Sequence, residues 1–149
     1  MAFRRAIISR RSSLPSYLVL WHSLYYLVYR TSGAAALAAF ERWVGAAPLI
    51  GFHVAFDRTL IQRAMQGALG RVLPNPWLDL EPVAAVLRPD VPARSLDEWL
   101  AALDVRCAVR HQAAADALAT AELLQRLWPT IAATGASDFA ALQRLAGQR

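Results

Sequence analysis

The chain has 149 residues, 56% of them hydrophobic, a single cysteine and a formal net charge of +5. This length fits one domain with a real core, burying about 70% of the surface its unfolded form exposes. Cys107, standing alone, excludes an intrachain disulfide framework and makes a reduced, cytoplasmic setting the default.

All 16 basic residues are arginine. Arg4, Arg5, Arg10, Arg11 and Arg30 fall within residues 1–40, which hold no Asp or Glu, so this segment accounts for the whole excess of charge. The remaining 109 residues are neutral in balance. Arginine without lysine, beside abundant alanine, points to GC-rich coding more than to phosphate binding, so the basic pI is no evidence for nucleic acid.

Met1 to Ser13 is polar, basic and without apolar periodicity, and reads as a tail. Tyr17 to Tyr29, YLVLWHSLYYLVY, would span about 20 Å as a helix against the roughly 30 Å of a bilayer core, so it is not a transmembrane segment. Its β-branched and aromatic content allows a hairpin of Tyr17–Trp21 with Leu24–Tyr29. The alternative is an export signal, with Ser9-Arg10-Arg11 mimicking a twin-arginine motif ahead of an apolar run.

From Ala34 the pattern changes. Leu37, Phe40, Trp43 and Val44 lie at helical spacing over Ala34–Val44, and Gly45 ends that helix. Pro48 to Gly51 reads as a short buried strand, followed by a helix that begins just after Asp57 and stops at Gly70. Leu73 to Trp77 is a loop fixed by two prolines, and Asp79 to Leu87 a helix with Pro82 in its first turn. Ser95 and Glu98 form a capping box for the next helix. Another helix runs from after His111 to about Trp128, and Ser137 caps a last one to about Ala146. The four tryptophans from Trp43 to Trp128 read as packing residues.

Two stretches carry chemistry. In GFHVAFDRTLIQRA, Gly51 to Ala64, Asp57 sits at a strand-to-helix corner, the place where open α/β sheets present ligand sites. Locally it could equally be a helix N-cap. In VRHQAAADALATAELLQRL, Val109 to Leu127, His111 precedes Asp116 by five positions. Asp116, Thr120, Leu123 and Leu127 follow i, i+4, i+7, i+11, so this acid continues a stripe that otherwise packs inward, where a carboxylate needs a partner or a metal.

The two stretches together resemble the DEDDh group of 3′-to-5′ exonucleases, the family of the proofreading epsilon subunit of bacterial DNA polymerase III. HVAFD, His53 to Asp57, matches the family's second motif, and His111, Ala113 and Asp116 match H-x-A-x-x-D. SLDEWLAALDV from Ser95 is similar to the helix preceding that third motif. The resemblance runs from about Ala34 to Trp128. It implies an α/β, ribonuclease H-like exonuclease fold over residues 34–149, with an abbreviated or altered N-terminal part of the sheet, and residues 1–33 as an atypical basic and aromatic segment.

By the same resemblance Asp57 and Asp116 are metal ligands for Mg²⁺ or Mn²⁺, hard ions that prefer oxygen, and His111 is the general base. His53, in place of the family's usual asparagine, and Phe56 are assigned to substrate contact, with His53 positional rather than catalytic. The implied partners are a single-stranded or frayed DNA 3′ end and a DNA polymerase subunit. The family's first motif, D-x-E on one strand face, has no counterpart before Glu41. Asp79-Leu80-Glu81, after the second motif, reads as helix-cap acids. Either this is a degenerate member kept as a non-catalytic nucleic-acid- or polymerase-binding module, or its N-terminal part is a replacement on an ordinary exonuclease; the abrupt change at Gly33 favours the second.

Overall fold

The computed structural model describes residues 33–107 and 112–149. The readings of Met1–Ser13 and Tyr17–Tyr29, and that of His111, lie outside them. Six helices and two strands are described: α1 Gly33–Val44, β1 Leu49–Gly51, α2 Ala55–Leu69, β2 Trp77–Asp79, α3 Leu80–Leu87, α4 Leu96–Ala102, α5 Ala113–Ala133 and α6 Phe139–Ala146. None of the described helices is long and apolar enough to cross a membrane.

The two strands pair in parallel, with Leu49 opposite Trp77, Ile50 opposite Leu78 and Gly51 opposite Asp79. Side chains alternate between the faces of a strand, and this register sorts them into two cores. Leu49 and Trp77 join Leu37, Phe40, Val44, Ile61, Met65 and Leu73 on the side of α1 and α2. Ile50 and Leu78 face the larger cluster built by α3 to α6, centred on Trp99, Leu123, Leu127 and Ile131. The described residues therefore form a mixed α/β arrangement of three layers, with a small parallel sheet in the middle.

Local chemistry explains most of the boundaries. Gly45 and Gly70, at φ of 52° and 67°, end α1 and α2 in the left-handed conformation that costs glycine nothing. The capping box is present: Ser95 accepts from the Glu98 amide while the Glu98 carboxylate accepts from the Ser95 amide. Asn75 holds the proline loop by donating to the Gly45 and Ala47 carbonyls, 2.8 Å each.

Five expectations are corrected. Trp77–Asp79 is a strand, not the end of a loop and the start of a helix; three residues are too few to show a period, and the register on β1 decides. Asp57 is not an N-cap, because α2 begins two residues before it, with Val54 at the cap and no side-chain cap bond. Asp138, not Ser137, caps α6, accepting from the Ala141 amide. The fifth helix continues to Ala133, with Pro129 inside it. Trp43 is 40% exposed, since Leu37, Phe40 and Val44 fill the inward face of α1; of the described tryptophans Trp99 alone is fully buried.

Candidate active site

The corner between β1 and α2 is tight. Gly51 has no side chain because a Cβ there would lie 3.2 Å from the buried Val54 side chain. His53 takes a positive φ of 53°, strained for a residue other than glycine, and its ring packs on Phe52 with centroids 4.6 Å apart. The corner is held from the neighbouring strand: the Asp79 carboxylate accepts from the His53 amide at 2.9 Å and, through its other oxygen, from the Val54 amide at 3.2 Å. The first of those oxygens also accepts from the Glu81 amide, capping α3.

Asp57 follows in the first turn of α2, half-buried. Burial pushes its carboxyl above the ordinary carboxylate range. Among the described residues its carboxylate has no hydrogen-bond or ionic partner. Phe56 beside it is 72% exposed, and Leu60, one turn on, is exposed as well.

Asp116 occupies the matching place in the first turn of α5, also half-buried. The stripe below it is as the spacing predicts, with Thr120, Leu123 and Leu127 all buried and the Thr120 hydroxyl donating to the Asp116 carbonyl at 2.8 Å. Asp57 and Asp116 thus ride the amino ends of two helices that pack on opposite cores.

Asp57 and Asp116 are oxygen donors of the kind Mg²⁺ and Mn²⁺ prefer. Among the described residues no group of three or more His, Cys, Asp or Glu side chains is placed to hold a metal.

Two acids carry more than local spacing suggests. Asp79 was legible as the α3 cap, but its bonds to His53 and Val54 cross 26 and 25 positions and leave no local signal. Glu81, in the first turn of α3 as expected, is buried as well: it is 6% exposed and ion-paired with Arg149, with one carboxylate oxygen unpartnered among the described residues. Nothing in a helix's first turn announces a partner near the other end of the chain.

A model of the exonuclease family, RNase T, matches residues 27–124, more than half of the chain. The chain belongs to the RNase T/DEDD exonuclease family. It is also similar to a DNA polymerase III PolC-type from Clostridium perfringens, 34% identical over 89 residues. That match covers 60% of this chain but only 6% of the relative, so this exonuclease-family domain spans a small part of the protein it resembles. No solved structure matches it. The family implies a ribonuclease H-like fold, consistent with the parallel pair β1–β2 and the helices on its two faces.

Proposed function

We propose that this domain acts on DNA 3′ ends as a 3′-to-5′ exonuclease that releases nucleoside monophosphates, with Asp57 and Asp116 as carboxylate ligands of Mg²⁺ or Mn²⁺ and His111 as general base. The observation that carries this reading is Asp57: a half-buried carboxylate without a partner among the described residues, in the first turn of the helix that follows β1, in a stretch that resembles the family's second motif and falls within the family match. A carboxylate kept desolvated and unpaired costs stability unless a cation completes it. When bound, the metal polarises the scissile phosphate and favours ionisation of the attacking water. His111 takes the proton from that water, a role worth about 10² to 10⁴ in rate. Phe56, exposed beside Asp57, offers a face for stacking the terminal base, worth about 1–3 kcal/mol, and His53 shapes the corner around it.

A second reading rests on the absence of acids from residues 1–40, where the family supplies D-x-E. With two of four carboxylates the domain would be impaired, or kept to bind nucleic acid or a polymerase subunit without cutting. A 5′-labelled single strand incubated with Mn²⁺ separates the two. The enzyme reading expects a ladder shortened from the 3′ end that Asp57→Ala, Asp116→Ala and His111→Ala each remove. A binding module expects retention of the strand indifferent to all three changes. Grafting a strand bearing D-x-E ahead of Ala34 should raise the rate if the defect lies there.

A further inference from the structure

Asp79 closes β2, and the period-two alternation puts its side chain on the face of Trp77, toward the layer of α1 and α2. Its cross-strand partner is Gly51, so no side chain opposes the carboxylate, which is free to turn to the corner beyond β1. Of the amides it meets there, that of Val54 stands at the cap position of α2 and that of His53 one residue before it. Val54 itself has no side chain that could cap the helix. Asp79 therefore ties the backbone at the entry to α2 to the neighbouring strand while capping α3 through the Glu81 amide.

The geometry points to a second role for this carboxylate: Asp79 is a positioning residue for Asp57. Asp57 lies three residues beyond Val54, in the turn whose amino end Asp79 fixes, and it makes no bond of its own among the described residues that would set its place. The strained φ of His53 and the close Gly51–Val54 approach are held by the same two bonds. This inference rests on the reading of Asp57 as a metal ligand. It extends that reading to an outer carboxylate that orients a ligand through the backbone rather than touching the ion.

Asp79→Asn separates positioning from capping. Its amide oxygen can keep the Glu81 and His53 amides, while its NH₂ faces the Val54 N–H, where a donor meets a donor. Asp79→Ser keeps only a short cap on α3. Mn²⁺ is titrated into the full chain and the free ion followed by its electron spin resonance, with far-ultraviolet circular dichroism confirming that each variant is folded. Half-saturation should rise about tenfold to a hundredfold in both variants, the range typical of lost outer-shell partners. Asp57→Asn should abolish the site. If Asp57→Asn binds Mn²⁺ as the unmodified chain does, the metal reading itself fails. If Asp57→Asn loses the ion but both folded Asp79 variants keep it with unaltered half-saturation, Asp79 is only a cap and the inference is overturned. Should the Asp79 variants not fold, amide exchange in the unmodified chain decides: His53 and Val54 should exchange more slowly as Mg²⁺ is added, and protection indifferent to Mg²⁺ overturns the inference.

Discussion

The helices that carry Asp57 and Asp116 begin alike and are supported differently. Beneath Asp116, α5 buries Ala119, Thr120, Leu123, Leu124, Leu127 and Ile131 in the larger core, a dry face repeated turn after turn. Beneath Asp57, α2 buries only Ile61 and Met65. Its place is set by polar bonds to distant backbone: Asp79 at its start, Gln62 exchanging two bonds with Leu73, and Asn75 tying the following loop to Gly45 and Ala47. Apolar packing is non-directional and tolerates small shifts, whereas hydrogen bonds to fixed carbonyls and amides locate a backbone closely. Asp57, without a partner among the described residues, sits on the helix whose position is fixed by directional bonds.

The comparison is broken most severely on the α5 side. Leu123 is fully buried in the larger core, so Leu123→Ala should cost about 3–5 kcal/mol in urea unfolding. A loss below about 1 kcal/mol would mean that the larger core is not the main source of stability.

Next in size is the buried acid of α3. Arg149→Ala leaves Glu81 without its cation; breaking a buried pair costs about 3–5 kcal/mol, but Arg149 is substantially exposed and solvent screening reduces this to about 1–2 kcal/mol. Adding Glu81→Gln removes the stranded charge and should recover most of the loss. Equal stability of the single and double variants in a thermal melt would show that the pair does not form.

On the α2 side, Asn75→Ala removes two bonds and leaves the Gly45 and Ala47 carbonyls to find other partners, a cost of about 1–2 kcal/mol. Since those bonds hold the loop before β2, hydrogen exchange should quicken through residues 71–76 while α5 keeps its protection. A uniform change over the whole chain would argue against two separately supported layers.

What the residue pattern revealed follows the same division. The stripe Asp116–Thr120–Leu123–Leu127, the α4 capping box and the helix-ending glycines are local, and each was legible because its signal repeats or lies within four positions. The strand Trp77–Asp79 was not, because three residues show no period and only their register on β1 makes them a strand. Asp57 was placed at the right corner, but its local reading as a cap failed: Val54 holds that position, and the oxygens that fix the helix entry come from Asp79, 22 positions along the chain. Glu81 stands in the first turn of α3 as its spacing implies, but its partner, Arg149, lies 68 positions away. Local spacing shows where an acid stands on its helix; it does not show what supports it.

The smallest expected effect is the most informative about the site. Burial raises the Asp57 carboxyl above its ordinary value of 3.8. The folded chain therefore holds this proton more tightly than the unfolded chain does. Its contribution to stability is fully present below the unfolded value near 3.8 and is lost as pH rises through the folded one. Asp57→Asn carries no charge at any pH, so in metal-free buffer it should melt at the same temperature as the unmodified chain at low pH and slightly above it at pH 7. Mg²⁺ should then reverse the order at pH 7, because an ion that binds only the folded, ionised carboxylate stabilises the unmodified chain and not the variant. A difference between the two proteins that is constant with pH would mean that the carboxylate is not desolvated; a pH-dependent difference that Mg²⁺ leaves untouched would mean that it is desolvated for some purpose other than holding a cation.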